Sequence, residues 1–206
     1  MKKFLITTKL EIDKFKSRNL SLNLDWYNFA KKNNIELIPI CFEDIKKIKS
    51  NKIFYDGIIF TGGGNLYSKT RTKENFIRDK FETELLKHCL KNKIKTFFVC
   101  RGLQLLVNFY GIKLNNVNTH VVKNQKIYFI DKIFNMKLKK MNVNSYHNYA
   151  FKKCPKNFVT KAKHSDETIE IIYSYKYKSL GLMFHPERKN KDEKIVNKIV
   201  SKFLNI

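Results

Sequence analysis

Apolar residues follow two alternating patterns along the first half of the chain. Short continuous apolar runs predict buried strands at residues 3–8, 35–41, 57–60 and 96–99. Helical spacing of apolar positions predicts helices at residues 23–33, 44–50, 73–90 and 103–110. In the longest helix the apolar stripe consists of Phe76, Ile77, Phe81, Leu85, Leu86 and Cys89. This alternation predicts an α/β fold with a parallel sheet covered on both faces.

The second half of the chain changes to a pattern of strands. They are predicted at residues 119–123, 126–130, 136–139, 158–163, 168–174 and 179–184, before a final helix at 191–203. No repeat and no linker rich in Pro, Gly or Ser separates the halves. We therefore expect residues 1–206 to form one domain, in which a mostly parallel central sheet carries an antiparallel extension.

Composition is that of a folded protein, with 43% hydrophobic residues in a chain of 206. No apolar run approaches the ~18–20 residues of a membrane span. The apolar run after Lys3 is too short for a signal peptide. We therefore expect a cytoplasmic protein without a membrane partner.

The formal charge of +24 raises the question of nucleic-acid binding. Of the 42 basic residues only five are Arg, the residue whose planar fork reads bases and phosphates. We therefore expect no nucleic-acid partner, although a non-catalytic basic binding protein remains an alternative. The basic field would also attract a small anionic substrate.

Four cysteines are present, and Cys100 has a distinctive setting. It stands between the strand at 96–99 and the following helix, with Gly102 two positions later. This is the layout of a nucleophile elbow, in which a sharp turn lifts the side chain out of the sheet. The helix N-terminus would favour the thiolate. A buried cysteine at the end of a core strand is the alternative.

A possible acid/base pair follows the last predicted strand, at His185 and Glu187. Residues i and i+2 of a strand point to the same side, so Glu187 could orient the imidazole of His185. Pro186 favours extended geometry at His185. An exposed charge pair in a loop is the alternative.

Two polar stretches remain. The glycine run Gly62–Gly64 follows a strand, and we expect Gly63 or Gly64, with the N–H of Arg101, to form an oxyanion hole. A phosphate loop or a plain turn would also fit, but no Lys-Ser/Thr follows at Walker spacing. Residues 143–147 alone predict a turn with a surface histidine. No metal site is expected at His147, because no other histidine or carboxylate stands nearby at ligand spacing.

Together and in order, these segments resemble the class I glutamine amidotransferases, and within them the γ-glutamyl hydrolase branch, peptidase family C26. The matching segments are Gly62–Asn65, Val99–Gln104, Val143–His147 and Leu180–Glu187, and Arg18, Asn19 and Trp26 resemble the family's N-terminal segment. The chain departs from the family pattern at Phe98, where the family has Gly, at Asn65, where it has Asp, and at Asn148, where it has His.

The resemblance implies a flavodoxin-like fold and a cysteine hydrolase without a cofactor. It implies Cys100 as nucleophile, His185 as acid/base and Glu187 as its orienter. It also implies that Gln104 and the stretch Asn144, Ser145 and Tyr146 hold the glutamyl group.

The substrate is expected to be a small γ-glutamyl amide with a nucleotide-linked leaving group, because a basic chain suits a diphosphate. Lys69, Arg71 and Arg188 are candidates for phosphate contacts. A γ-glutamyl polyamine or aminobutyrate, or a glutaminase subunit that feeds ammonia to a partner synthase, remain alternatives.

Overall fold

A computed structural model describes residues 1–205 of the chain. The strands are β1 (Lys2–Thr7), β2 (Lys9–Ile12), β3 (Arg18–Ser21), β4 (Ile35–Ile40), β5 (Gly57–Phe60), β6 (Thr96–Val99), β7 (Asn115–Asn116), β8 (Val121–Phe129), β9 (Lys140–Tyr146), β10 (Tyr149–Ala150), β11 (Val159–His164), β12 (Ile169–Ser174) and β13 (Ser179–Leu182). The helices are α1 (Asp25–Asn33), α2 (Ile45–Lys49), α3 (Lys73–Asn92), α4 (Arg101–Phe109) and α5 (Glu193–Asn205), with a 3₁₀ turn at Phe42–Asp44. Within residues 1–205, each helix is too short or too polar to cross a bilayer.

Both halves of the chain contribute strands to one nine-stranded sheet, in the order β4-β1-β5-β6-β13-β12-β11-β8-β9. The first five strands are parallel, and the pairings from β13 to β9 are antiparallel. This confirms the predicted α/β fold with an antiparallel extension. The carboxyl ends of β5, β6 and β13 meet at one edge, where ligands bind in open α/β sheets. The glycine run, Cys100 and His185 follow these three ends.

Helices cover the central strands on both faces, as the buried strands require. On one face, α1 and α5 pack large apolar side chains, including Trp26, Phe29 and Phe203, against β1 and β6. On the other face, α2, α3 and α4 bury Ile48, Leu85 and Leu103. The strands that carry the site are therefore held rigidly from both sides.

Three predictions for the antiparallel half were wrong. Residues 119–123 and 126–130 belong largely to one strand, β8, whose register is irregular between Val122 and Gln125. Residues 136–139 precede β9 and lie outside it, whereas 143–146, predicted as a turn, lie within it. Pairing with β8 and the burial of Met141 and Val143 outweigh the polar composition of β9. The hairpin of β2 and β3 was not predicted.

The stripe predicted for α3 is correct in its later turns and wrong at its start. Phe81, Leu85, Leu86 and Cys89 are buried, but Phe76 is 51% exposed. In its place the helix buries two charged residues, Arg78 and Glu82. These two residues belong to the site described below.

Candidate active site

Cys100 occupies a strained turn between β6 and α4. Its backbone has φ of 49° and ψ of −104°, a conformation that L-residues rarely adopt. Its N–H donates to the Leu182 carbonyl of β13 at 2.7 Å, and its carbonyl accepts from the N–H of Gln104 at 3.0 Å. The strained residue is thus fixed by hydrogen bonds to a neighbouring strand and to its own helix, as expected for a nucleophile elbow.

Gly102 lets the elbow approach β5 closely. A Cβ at this position would lie 2.4 Å from the carbonyl oxygen of Phe60. This confirms that helix and strand crowd at Gly102. Phe98, where the family has Gly, is fully buried and stacks on Phe60 with ring centroids 5.0 Å apart.

His185 and Glu187 form a buried hydrogen-bonded pair. Nδ1 of His185 lies 2.6 Å from Oε1 of Glu187, and the side chains are 3% and 2% exposed. The alternation of side chains along a strand, which was expected to bring the two residues together, does not explain this contact, because β13 ends at Leu182. His185 and Glu187 lie instead in a turn closed by the Arg188 N–H on the His185 carbonyl, at 3.3 Å. The exposed charge pair is excluded by this burial.

Asn144 of β9 holds the backbone of His185 from both sides. Its Oδ1 accepts from the His185 N–H at 2.8 Å, and its Nδ2 donates to the His185 carbonyl at 2.8 Å. Asn190 adds a second donor to that carbonyl, at 3.0 Å. The backbone of His185 therefore has little freedom to move.

Cys100 and His185 meet at Gly62. A Cβ on Gly62 would lie 2.5 Å from Cε1 of His185 and 3.4 Å from Cβ of Cys100. Burial opposes protonation of the imidazole, but charge and hydrogen-bond interactions with Cys100 and Glu187 outweigh it and raise the pKa of His185 to about 10. Because Nδ1 faces Glu187, Nε2 is the ring nitrogen left for the sulfur.

The glycine run is held by Arg78 from α3. Its guanidinium donates to the carbonyls of Thr61, Gly62 and Gly63, at 3.2, 3.2 and 2.8 Å. Gly63 and Gly64 have φ of 86° and 72°, in the region that favours glycine. With three carbonyls turned towards Arg78, the loop has a fixed shape beside Cys100 and His185.

The side chain of Arg101 joins this glycine loop to the elbow. It is 1% exposed and forms ion pairs with Glu82 and Asp79, and Glu82 also pairs with Arg78 at 2.9 Å. Burial and the nearby Arg101 lower the pKa of Arg78 to about 10. Burial opposes ionisation of Glu82, but the two guanidinium groups outweigh it and lower its pKa. Arg78 and Glu82 therefore stay charged at neutral pH. Arg101 is the first residue of α4, and its backbone N–H has no hydrogen-bond acceptor within the helix.

The four residues predicted to hold the glutamyl group have different surroundings. Asn144 is fully buried on His185, and Ser145 is fully buried and donates to the His120 carbonyl at 2.6 Å. Alternation along β9 turns Ser145 away from His185, and both polar side-chain atoms of Asn144 bind the backbone of His185. A substrate contact by either residue stays a prediction. Gln104 is also buried and donates to the Tyr149 carbonyl at 3.0 Å. Tyr146 is 38% exposed, its ring centroid 6.0 Å from that of His185.

A cavity of about 290 Å³ opens beside His185 and the glycine run. Its remaining walls come from β2, the end of β3, the start of α1 with the connection between them, and the turn after β13: Lys9, Ser21, Leu22, Asn23, Trp26 and Arg188. Lys9, Ser21, Leu22 and Asn23 were not predicted as site residues. Of the candidate phosphate contacts, only Arg188 lines this cavity. Lys69 instead donates to the Leu114 carbonyl at 2.8 Å. The resemblance around Trp26 was the one signal for the part of the wall that β3 and α1 supply.

A second polar group lies behind β9, here termed the histidine cluster: His120, His147, His164, Asp166 and Glu170. Burial lowers the pKa of His147 to about 3. Burial also opposes protonation of His120, but its contacts with Glu170 and Asp166 raise its pKa. No local pattern indicated this group, because His120 and His147 stand far along the chain from the segment 164–170 and only the sheet brings them together.

Comparisons with known proteins agree with this architecture. The gamma-glutamyl-CDP-amidate hydrolase of Campylobacter jejuni subsp. jejuni serotype O:2 is 26% identical over 183 residues, 86% of each chain. The glutamine amidotransferase-like protein YvdE of Lactococcus lactis subsp. lactis is 25% identical over 199 residues, covering 82% of this chain and 80% of that protein.

Solved structures share the fold at low identity. A GMP synthase subunit from Thermoplasma acidophilum superposes with a TM-score of 0.71 at 13% identity, covering 100% of this chain and 94% of that one. A glutamine amidotransferase from Thermotoga maritima gives 0.70 at 15% identity, covering 98% and 96%. The peptidase C26 family model matches residues 27–187. The chain belongs to the peptidase C26 family and is a hydrolase of amide bonds with the class I glutamine amidotransferase fold.

Proposed function

We propose that the chain hydrolyses a γ-glutamyl amide through a thioester on Cys100. The observation that carries this proposal is the meeting of Cys100, in its strained elbow, with the buried His185–Glu187 pair at Gly62. A nucleophile, a base that can take its proton and a carboxylate that orients the base are the parts that covalent hydrolysis requires.

In the first half-reaction the Cys100 thiolate attacks the γ-carbonyl carbon, and the carbonyl oxygen becomes an oxyanion. The N–H groups of Arg101 and of Gly63 or Gly64 stabilise that charge. His185 gives its proton to the amide nitrogen, the C–N bond breaks, and the protonated nitrogen leaves. Cys100 then carries a γ-glutamyl thioester.

In the second half-reaction His185 accepts a proton from water, and the hydroxide attacks the thioester carbon. The C–S bond breaks, glutamate leaves, and the Cys100 thiolate and His185 imidazolium are restored. Glu187 stabilises the imidazolium throughout and exchanges no proton.

The leaving group we propose is a cytidine diphosphate amide, so that CDP-linked glutamine gives L-glutamate and cytidine diphosphoramidate. Support comes from the relative in Campylobacter jejuni, whose name describes a γ-glutamyl-CDP-amidate hydrolase. Lys9 and Arg188 also line the cavity beside His185 and offer cations to a diphosphate. The product would supply phosphoramidate for capsule polysaccharide modification.

The test is glutamate release from a panel of γ-glutamyl amides: CDP-linked glutamine, a γ-glutamyl polyamine, γ-glutamyl aminobutyrate and free glutamine. We expect the highest kcat/KM for the nucleotide-linked amide. Faster turnover of the polyamine or aminobutyrate substrate would rule out the proposed leaving group but would remain consistent with hydrolysis through a thioester. A glutaminase activity that appears only with a partner synthase would identify the chain as the ammonia-producing component of a complex.

A further inference from the structure

The interior of the histidine cluster has the dimensions of a metal site. His120, His147 and Glu170 are buried, at 0%, 3% and 0% exposure, and their ligand atoms lie within 4.8 Å of one another. Oε1 of Glu170 is 3.5 Å from Nδ1 of His120 and 3.7 Å from Nε2 of His147. Tetrahedral Zn²⁺ holds its ligands at about 2.0–2.2 Å, which separates ligand atoms by about 3.4 Å.

Both imidazoles turn a ring nitrogen towards Glu170. Nδ1 of His147 contacts the Tyr149 carbonyl at 3.2 Å, so it carries the hydrogen and leaves Nε2 as the acceptor. Within residues 1–205, that buried Nε2 has no hydrogen-bond partner. Nε2 of His120 contacts Asp166 at 2.9 Å, which leaves Nδ1 facing inwards. Histidines that bind metals donate their other N–H to a carboxylate or carbonyl in this way.

Gln125 supplies a fourth group. Its Nε2 lies 3.1 Å from Nδ1 of His120 and donates to Oε1 of Glu170 at 3.0 Å, so it occupies the point that both ring nitrogens face. Its Oε1 is buried without a hydrogen-bond partner within residues 1–205. A rotation of the amide by half a turn would bring this oxygen to the same point.

We propose that His120, His147 and Glu170, with the amide oxygen of Gln125, bind one divalent transition-metal ion, for which Zn²⁺ is the probe. Two imidazole nitrogens and two oxygens form a ligand set that such ions accept. The ion replaces any proton on Nδ1 of His120. It links β8, β12 and the end of β9, the strand whose Asn144 holds His185. Its role is therefore structural, behind the catalytic face.

The test is a titration of the full chain carrying Cys100→Ala with Zn²⁺ and with Co²⁺. This substitution removes the thiol that could bind either ion together with His185. We expect one saturable equivalent, a higher melting temperature with Zn²⁺, and the visible d–d absorption of four-coordinate Co²⁺ without a thiolate charge-transfer band. The absence of saturable binding in this protein overturns the proposal.

Variants in the same background locate the ion. Glu170→Gln and His147→Gln should weaken binding at least tenfold, and Asp166→Asn, which removes the carboxylate that orients His120, by about 10–100-fold. His164→Gln is the matched control, since His164 stands at the rim of the cluster and should be dispensable. Loss of binding in the His164 variant with retention in both the Glu170 and His147 variants would overturn the proposed ligand set. Circular dichroism of each metal-free variant verifies its fold.

Discussion

At the scale of single residues, the protonation of His185 is the most informative property. Its pKa is raised from the ordinary value to about 10, so the imidazolium persists through neutral pH and is lost as pH rises through about 10. Protonation of the leaving nitrogen should then fail in the same range. We predict that kcat/KM, which reports the free enzyme, has its alkaline limb near pH 10.

Glu187→Gln should move that limb to lower pH, because it removes a negative charge that raises the pKa of His185. It should also lower kcat/KM, by up to about 10⁴-fold, since the imidazole loses its orienting carboxylate. The measurement is a pH profile of kcat/KM for both proteins. Glu84→Gln, an exposed carboxylate on α3, is the matched control. An unshifted alkaline limb in the Glu187 variant would remove that residue from the proposed role.

Asn144→Ala tests whether the backbone of His185 must be held in place. The loss of its buried hydrogen bonds should lower the free energy of unfolding by about 1–3 kcal/mol. A displaced imidazole should lower kcat by about 10²-fold. Denaturant unfolding and steady-state kinetics measure the two effects, and Asn108→Ala, on the exposed side of α4, is the control. An undiminished kcat would show that His185 needs no such support.

At the scale of elements, the elbow depends on close contact between α4 and β5. Gly102→Ala places a methyl group 2.4 Å from the Phe60 carbonyl. The resulting shift should cost about 1–3 kcal/mol of stability and lower kcat, since Cys100 moves with the helix. Gly111→Ala, which adds strain at a positive φ but meets no atom within 4 Å, should lower stability alone. Equal loss of kcat in both variants would contradict this account of the elbow.

Arg78 connects α3 to the glycine loop, and Arg78→Lys tests that connection. Lysine keeps the charge but lacks the fork that holds three successive carbonyls. If a loop N–H moves away from the oxyanion, kcat should fall by about 10²–10³-fold with little change in KM. Lys80→Met, on the exposed side of the same helix, should leave kcat unchanged. The glycine loop would be independent of Arg78 if both variants kept normal kcat.

The sequence was most informative about elements where local pattern and tertiary burial agree. The parallel strands and their helices, and the elbow at Cys100, were predicted because continuous apolar runs mark buried strands. The pattern failed at β9, whose polar side chains hydrogen-bond to distant segments: Asn142 to Asp192, Asn144 to His185 and Ser145 to His120. It also failed at Phe76, since α3 buries Arg78 in place of an apolar side chain. Contacts between distant segments, such as Asn144 with His185 and the histidine cluster, have no local signal.

At the scale of the whole molecule, the formal charge of +24 should act on anionic substrates. Salt screens such attraction, so kcat/KM for CDP-linked glutamine should fall as ionic strength rises. A γ-glutamyl amide with a neutral leaving group should show a smaller dependence. Arg188→Met should reduce the preference for the nucleotide-linked amide. If kcat/KM depended on ionic strength equally for both substrates, the net charge of the protein would have no role in substrate selection.

The most direct test of the account is to identify the residue that carries the glutamyl group during turnover. Enzyme in excess over substrate is quenched in acid at successive times, digested and analysed by mass spectrometry. The account predicts one glutamyl adduct on the peptide that contains Cys100, rising before glutamate appears and decaying as glutamate is released, with no turnover after Cys100→Ala. An adduct on a different residue, or normal glutamate release by the Cys100→Ala protein, would contradict it.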